Sequence, residues 1–280
     1  MLVDKPAGPT SHDVVQRVRR AYGTRAAGHT GTLDPFATGL LIVLLGRATR
    51  LARFVEARTK TYLATARLGV ATDTDDLTGT PLPAVGTPRV VPAGEIEAAF
   101  AELRSRQQQT PPAFSAKHVG GTRSYELARR GTAVELAPVP VDVTTLELVG
   151  LDGDLVTFRT VVSAGTYVRG LARDLGLMLG TGAHLTALRR EAIGTVPVDA
   201  AVALDALGPG APPLPPEAVL PHLPPIELDA AAAEAIGHGR AVPAPAGAAG
   251  EVTLMHDGRL IAIGIAEGGM VRPVVVLEPA

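Results

Sequence analysis

GHTGTLDPFATGLLIVLLG, residues 28–46, places one acid between a turn rich in glycine and threonine and a long apolar run. The run Gly39 to Leu45 has the length and composition of a strand that is buried on both faces. Spacing alone leaves the purpose of Asp34 open. An aspartate before proline can initiate a turn, cap a helix or bind a metal, and it can also carry out chemistry.

The composition describes a globular protein with an aliphatic core. Of the 280 residues, 46% are hydrophobic but only 3% are aromatic, and the chain has neither tryptophan nor cysteine. The lack of cysteine excludes disulfides, thiolate catalysis and zinc sites built on cysteine. The longest apolar run, Leu40 to Leu45, is far too short to span a membrane, and the first residues carry a charge pair where a secretory signal needs its apolar segment. We therefore expect a cytoplasmic protein with no membrane partner.

Charge is unevenly distributed along the chain, although the formal net charge is only −2. Residues 1–67 contain eleven Lys and Arg against four Asp and Glu, whereas residues 226–280 contain three against seven. A local positive field attracts an anionic partner such as nucleic acid whatever the total charge. A solvated basic helix face would give the same counts, so charge alone leaves both interpretations open.

Periodicity predicts helices mixed with strands. The predicted helices are residues 11–22, 48–56, 95–104, 166–179 and 230–236, with a short one from about Ser124. The predicted strands are residues 39–45, 60–68, 141–149 and 155–163, with short β runs after residue 250. Because the order lacks a regular βαβ alternation, we expect an α+β fold built on a mixed, largely antiparallel central sheet flanked by helices.

Proline and acidic clusters mark two further features. The Pro-rich residues 207–225 predict a linker between a large domain, residues 1–206, and a small β-rich module, residues 226–280. In the loop that follows residue 68, Asp73, Asp75 and Asp76 are close enough to suggest calcium. The loop lacks the glycine and the distal glutamate of an EF-hand, so we favour the interpretation without a metal.

Several familiar catalytic patterns are missing from the sequence. There is no G-x-S-x-G, no H-E-x-x-H, and no Walker or Rossmann glycine pattern. His29 and His184 lack the spacing of metal ligands. A glycosidase would need a second acid at a matched spacing, and no motif supplies one.

Five segments of residues 1–200 together resemble the TruB family of bacterial tRNA pseudouridine-55 synthases. They occur in the order DKPAGPTSHDVV, AGHTGTLDPFATGLL, KTYLATARLG, GTYVRGLARDLG and GAHLTALRR. The resemblance implies a pseudouridine synthase fold, with an insert at about residues 105–130. The last 55 residues resemble a PUA-type RNA-binding module more weakly, mainly through DGRLIAIG and VRPVVVL.

The resemblance implies that Asp34 is the essential carboxylate and that Arg169 pairs with it. It implies that Tyr62 stacks on the target base, where it is our candidate for proton transfer at the sugar, and that Tyr167 also contacts the substrate. Without the resemblance, the tyrosines would be read as core residues and Arg169 as a surface arginine on a helix.

Three further positions match family residues. His29 corresponds to a histidine that fills the space left when the target nucleotide is extruded, although a loop histidine bonded to backbone is the simpler interpretation. Lys5 corresponds to a lysine that supports the active site; the alternative interpretation is an ordinary Asp-Lys-Pro turn. Leu188 corresponds to a leucine that lines the uracil pocket; the alternative is plain core packing.

The implied reaction breaks the uridine N1–C1′ bond, turns the base and rejoins it through C5. It involves no redox change and no transfer to water, so we expect no cofactor. A carboxylate can act as a nucleophile at C1′ or C6, or assist a glycal-type intermediate by taking a proton, and the sequence does not choose among these routes. The implied partner is the T stem-loop of tRNA, with arginines of the first helix and of residues 47–53 on its phosphates. We expect a monomer with no obligate protein partner.

One departure from the family pattern falls at residues 115–121. Lys117 stands one place earlier than the family lysine, and His118 occupies its position. Two alternatives to the stand-alone enzyme are an RNA-binding factor with an incidental site and a guide-dependent synthase subunit. The complete set Asp34, Tyr62 and Arg169 argues against the first, and the lack of a long lysine-rich tail argues against the second.

Overall fold

The computed structural model describes residues 1–83, 89–115, 118–119, 122–124 and 136–277. The helices in these ranges are α1 (Ser11–Ala21), α2 (Ala52–Glu56), α3 (Ala93–Ser105), α4 (Val168–Met178) and α5 (Ala230–Gly237). The first nine strands are β1 (Leu2–Lys5), β2 (Ala27–His29), β3 (Thr38–Leu45), β4 (Lys60–Leu68), β5 (Gln108–Gln109), β6 (His118–Val119), β7 (Thr122–Arg123), β8 (Val139–Pro140) and β9 (Val143–Asp152). The others are β10 (Leu155–Val162), β11 (Ala183–Ile193), β12 (Val196–Pro197), β13 (Val202–Ala203), β14 (Pro225–Glu227), β15 (Val242–Pro243), β16 (Gly250–His256), β17 (Arg259–Glu267) and β18 (Met270–Val276).

The central sheet has the order β13-β1-β3-β11-β4-β10-β9, with β2 added beside β3 and β12 beside β11. Only the β1–β13 and β3–β11 pairs are parallel among its pairs in the described residues. The prediction of an α+β fold on a mixed, largely antiparallel sheet is therefore confirmed. A second sheet of five strands, β14-β16-β17-β18-β15, lies in the C-terminal part of the chain.

The local sequence explains the elements that surround the site. Thr10 caps α1 in a capping box with Asp13, and the apolar side of α1 packs through Val14, Val15 and Val18 onto β1 and β3. Strand β3 is buried along most of its length, as its continuous apolar run predicts. Helices α3 and α4 contribute to one large apolar cluster with β4, β10 and β11.

Some predicted elements differ from the structure. Residues 48–56 form a 3₁₀ segment, Gly46–Leu51, before the α-helical turn α2, and the helix predicted from Thr166 begins at Val168. Strands β1 and β11 were not predicted. The helix predicted from about Ser124 falls almost entirely outside the described residues. Lys117 also lies outside them.

The end of the Pro-rich segment 207–225 packs into the fold, whereas most of residues 209–218 are exposed. Val219, Leu220 and Leu223 are buried in an apolar cluster that also contains Phe54 of α2 and Ile263 of β17. This segment therefore takes part in the packing between the central sheet and the C-terminal strands. Within the described ranges, no helix combines the length and the apolar character that crossing a bilayer requires.

Candidate active site

An open cleft of about 960 Å³ lies above one face of the central sheet. The turn of residues 30–36, strands β4 and β11, the acidic loop of residues 74–78 and the start of α4 all contribute to its wall. Of the site residues that the family resemblance implies, those in its lining are Asp34, Tyr62, Tyr167, Arg169 and Leu188. The fold thus brings these five together from positions up to 154 apart in the chain.

The turn that carries Asp34 is fixed from beneath by buried donors. The Lys5 ammonium donates to the carbonyls of Pro35 at 3.2 Å and Ala37 at 2.7 Å, and its side chain is completely buried. Ser11, at the start of α1, accepts from the Leu33 amide at 2.8 Å and donates to the Leu33 carbonyl at 3.0 Å. Lys5 does not line the cleft, so the structure places it as a support for the Asp34 turn.

Arg169 lies beside Asp34 and is held on several sides. Its Nε lies 2.9 Å from one Asp34 oxygen, and Nη2 donates to the other at 3.2 Å. The same guanidinium donates to the carbonyls of Thr74 at 2.8 Å and Phe114 at 2.9 Å. With only 6% of its side chain exposed, this arginine is a fixed positive charge that orients the carboxylate.

Asp76 is a second acid at the site, and the sequence singled it out only as a possible calcium ligand. Its carboxylate lies 3.4 Å from Arg169 Nη1. It also accepts from the Thr78 amide at 2.9 Å and from the Thr74 hydroxyl at 2.8 Å. Asp76 therefore anchors Arg169 from the side opposite to Asp34. The acidic loop was visible in the sequence, but the partner of Asp76 is 93 positions away, and only the fold brings the two together.

The pKa of the Asp34 carboxyl is raised from its ordinary value. Desolvation by burial is the main cause, while the Arg169 guanidinium is the strongest opposing influence and favours the charged form. The Asp76 carboxylate adds to the rise, and the Lys5 ammonium opposes it. The carboxylate, whose side chain is 31% exposed, thus lies between an effect of burial and two cations that favour its charged form.

Two strands form the floor of the cleft. Tyr62 of β4 and Leu188 of β11 are both largely buried with their side chains in its lining. Tyr167 caps α4, and the Gln109 amide group fixes its backbone by accepting from the Tyr167 amide at 2.9 Å and donating to its carbonyl at 3.0 Å. Burial raises the pKa of the Tyr167 phenol. An aromatic and aliphatic floor next to a carboxylate suits a flat heterocycle that carries a sugar.

His29, like Lys5, is a predicted substrate-binding residue that lies outside the cleft lining. It ends β2, and its Nδ1 accepts from the Gly31 amide at 3.3 Å. Burial lowers the pKa of its imidazole, which is then neutral near pH 7. Its neighbours Thr30 and Gly31 do line the cleft, so His29 lies behind the rim.

Two acids of the loop suggested for calcium pair with arginines in the described part of the chain. Asp75 pairs with Arg173 at 3.2 Å and Asp76 pairs with Arg169, so these acids already have cationic partners. No group of three or more potential metal ligands occurs among the described residues. Desolvation by burial, ahead of the influence of Arg173, raises the pKa of the Asp75 carboxyl to about 6.

Some arginines expected on RNA phosphates make internal contacts. Arg17 forms an ion pair with Asp205 at 2.7 Å, and Arg19 donates to the Ala27 carbonyl at 2.9 Å. Arg47 and Arg50 donate to the carbonyls of Leu277 and Val276, at the end of the C-terminal sheet. The last two therefore link the 3₁₀ segment to β18.

Three family models match the chain in succession. Residues 19–168 match the TruB family pseudouridylate synthase N-terminal domain, and residues 169–209 match the tRNA pseudouridylate synthase B C-terminal domain. Residues 224–277 match the C-terminal domain of pseudouridine synthase II TruB. The three matches together cover nearly all of the chain.

Individual relatives agree with these models. The chain is 46% identical to a tRNA pseudouridine synthase B of Aromatoleum aromaticum, over 96% of this chain and 88% of that protein. It is also 46% identical to one of Mycolicibacterium paratuberculosis, over 100% and 97% of the two chains. Among solved structures, a Cbf5-Nop10-Gar1 complex contains a chain with a TM-score of 0.75 and 28% identity, covering 99% of this chain and 84% of that one.

Proposed function

The chain belongs to the TruB family of pseudouridine synthases and acts as a tRNA pseudouridine synthase, and from this premise we propose that it isomerises uridine 55 in the T-loop of tRNA. Asp34 is the catalytic carboxylate in this proposal. Arg169, Tyr62, Tyr167 and Leu188 hold the extruded nucleotide around it.

One observation carries the proposal: a partly buried carboxylate, paired with a fixed arginine, faces an aromatic floor inside an open cleft. The pairing of Asp34 with Arg169 keeps a reactive anion in one orientation. Tyr62 and Leu188 offer a flat surface on which a uracil ring can rest and turn. A nucleotide in a stacked loop hides both C1′ and C5, so the target must leave the stack to enter this cleft.

The chemistry needs only groups that the chain can supply. The N1–C1′ bond breaks, the uracil rotates while still bound, and a C5–C1′ bond forms. The proton lost from C5 is balanced by the proton gained at N1. Asp34 stabilises the sugar after cleavage, either as a nucleophile or by accepting a proton, and the Tyr62 hydroxyl is our candidate for the proton transfer at the sugar. Since no electrons are gained or lost, we propose that no cofactor takes part.

We also propose that different parts of the chain have different roles. Residues 1–206 carry out catalysis, and residues 226–280 act as a PUA-like module that extends the RNA footprint. The module contains seven acids and three Lys or Arg, so contacts of shape and backbone would carry its binding more than charge. Residues 207–225 connect the two. His29, just behind the rim, would move into the space that the target base leaves.

One similar solved structure is a Cbf5-Nop10-Gar1 complex, and another is an H/ACA RNP bound to a substrate RNA containing 2'-deoxyuridine. For this chain we propose a monomer without an obligate protein partner, working in the cytoplasm where its tRNA substrate is found. The extent of the match to tRNA pseudouridine synthase B proteins, over the full length of this chain, supports the stand-alone form.

The test uses the purified single chain and an unmodified tRNA transcript, with no added metal or nucleotide. We expect one pseudouridine per transcript, located at position 55 by chemical derivatisation and primer extension. A transcript with cytidine at position 55 is the matched control and should remain unmodified. Modification at another position, or activity only after a second protein is added, would contradict the proposal.

A further inference from the structure

Two buried cations lie together on the cleft floor, apart from the Asp34–Arg169 pair. Lys60 begins β4 and Arg190 lies on β11, and both line the cleft although only 7% and 1% of them, respectively, are exposed. Arg190 stands opposite Tyr62 in the strand register, so Lys60, two residues before Tyr62, is its diagonal neighbour on the same face. The proposed function gives neither of them a role.

Both cations are held only by neutral acceptors in the described part of the chain. The Lys60 ammonium donates to the carbonyls of Glu56 and Arg58. Arg190 donates from Nε to the Leu40 carbonyl at 2.7 Å and from Nη2 to the Gly31 carbonyl at 3.1 Å. An ammonium has three N–H groups and a guanidinium has five, so both retain donors that these contacts do not use.

Neither cation forms a salt bridge with a carboxylate of the residues that the structure describes. Burial, followed by the positive charge of Arg190, lowers the pKa of Lys60 to about 8. The exposed Glu56 partly offsets this drop, while Arg58 adds to it. Two buried like charges cost free energy that a bound anion would recover. By contrast, the buried Arg169 has carboxylates on two sides.

The floor of the cleft therefore has two neighbouring parts. Tyr62 and Leu188 form an apolar part, and Lys60 and Arg190, two residues along the same strands, form a cationic part. A nucleotide has the same arrangement, because its flat base is connected through the sugar to a charged phosphate. Given the proposed function, on which this inference rests, we propose that Lys60 and Arg190 bind a backbone phosphate that flanks the extruded uridine.

The test replaces single phosphates of a T-arm minihelix with neutral methylphosphonates, one linkage at a time. Binding is measured in the Asp34→Asn background, so that no turnover occurs. We expect one linkage next to the target uridine at which the neutral group weakens binding about tenfold, in line with the loss of one charge-assisted contact. Equal affinity for every linkage variant would overturn the proposal.

Lys60→Gln assigns that linkage to the cationic pair. We expect this variant to bind the native RNA several-fold more weakly, to show a smaller penalty for the neutral linkage because only Arg190 remains, and to have a salt dependence shallower by about one phosphate contact. Arg67→Gln is the matched control: it removes one charge from the exposed face of the same strand, where Arg67 pairs with Asp154 at 3.1 Å. The Arg67→Gln variant should keep the full penalty for the neutral linkage that the Asp34→Asn protein shows. Unchanged sensitivity in a folded Lys60→Gln variant would place the phosphate elsewhere.

A measurement without the Lys60 substitution covers the case in which that variant fails to fold. Since the pKa of Lys60 is about 8, its charge is lost between about pH 7 and pH 9. The penalty for the neutral linkage should therefore shrink across this interval, because Arg190 alone then faces the native phosphate. A penalty that stays constant with pH would contradict the proposal.

The subsite and the proposed function fail in different ways. Turnover of the native minihelix by the unmodified chain tests the proposed function alone. Turnover combined with affinity that is the same for all linkages would reject the subsite and leave the function intact. Binding that depends on one linkage and on Lys60, without any pseudouridine, would support the subsite and reject the function.

Discussion

Asp34 gains its properties from side chains that are distant in sequence. Lys5 holds the backbone of its turn, Arg169 holds its carboxylate, and Asp76 holds Arg169. An aspartate before proline is an ordinary turn residue on its own. The three neighbours fix its orientation and its charge, so the proposed chemistry depends on a network of charges around one short turn.

Loss of the Arg169 charge should change the pH dependence of the reaction. Arg169 lowers the pKa of Asp34 against the effect of burial, so Arg169→Met should raise that pKa further. Because the reaction needs the carboxylate, the acid limb of the rate profile should move to higher pH, and kcat should fall about 10²-fold or more at neutral pH. Single-turnover rates measured between pH 5 and pH 9 test both effects.

Arg169→Lys and Arg173→Gln are the controls for that experiment. The lysine keeps a positive charge near Asp34, so its acid limb should stay close to that of the unmodified chain even if kcat drops. Arg173 lies one turn further along α4 and pairs with Asp75, so its loss should leave the acid limb in place. An acid limb that does not move in Arg169→Met would contradict the proposed electrostatic role.

At the scale of elements, β3 and β11 position the site through one close backbone contact. Gly39 has a φ of +103°, and a Cβ at this position would lie only 2.3 Å from the Arg190 carbonyl oxygen. The parallel pairing of β3 with β11 at Arg190 therefore requires glycine. This contact joins the strand after the Asp34 turn to the strand that carries Leu188.

Gly39→Ala should destabilise the protein by about 3 kcal/mol, because both its backbone conformation and its lack of space exclude a methyl group. Gly28→Ala is the matched control, since Gly28 lies on the adjacent β2 and a Cβ there would have no heavy atom within 4 Å. Its effect should stay within about 0.5 kcal/mol. Urea unfolding measures the free energy of unfolding of both variants. Equal stability of the two would show that β3 and β11 accommodate a methyl group at residue 39 without loss of stability.

The sequence predicted most elements around the site but not all of its parts. β3 and β4 were predicted because one is continuously apolar and the other has strand composition. β11 was missed because two register shifts along it, at Leu185/Ala187 and Arg190/Ala192, disrupt the alternation on which strand prediction depends. β1 was missed because four residues that end in Asp4 and Lys5 give almost no pattern.

The site itself was predictable to the extent that it lies in motifs. The family resemblance supplied Asp34, Tyr62, Tyr167, Arg169 and Leu188, which the fold brings into one cleft. The pairing of Asp76 with Arg169 and the positions of Lys60 and Arg190 in the cleft were missed, because they depend on burial and on partners in other elements of the fold. A local pattern contains no information about either property.

For the whole molecule, the main and C-terminal sheets share an apolar cluster. Leu51 and Phe54 of the segment after β3 pack in it together with Leu260 and Ile263 of β17. Arg47 and Arg50 add hydrogen bonds to the end of β18. The C-terminal strands therefore stabilise the part of the chain that carries the site, in addition to any contact they make with RNA.

Removal of residues 224–280 should lower the stability of the remaining chain, because it uncovers apolar side chains that are buried in the full chain. We expect the shortened chain to unfold at a temperature several degrees lower and to bind a hydrophobic dye. Calorimetry of both proteins tests this. Two separate transitions in the full chain, with the larger one unchanged in the shortened chain, would show that the two parts are independent.

The most direct test of the account compares Asp34→Asn with the unmodified chain on a T-arm minihelix that carries tritium at uridine C5. Asparagine keeps the size of the side chain and removes its charge. We predict that tritium release is abolished while the affinity for RNA stays within a few-fold of that of the unmodified chain, because the cleft and its cations remain. Release at the normal rate from Asp34→Asn would contradict the claim that this carboxylate performs the chemistry.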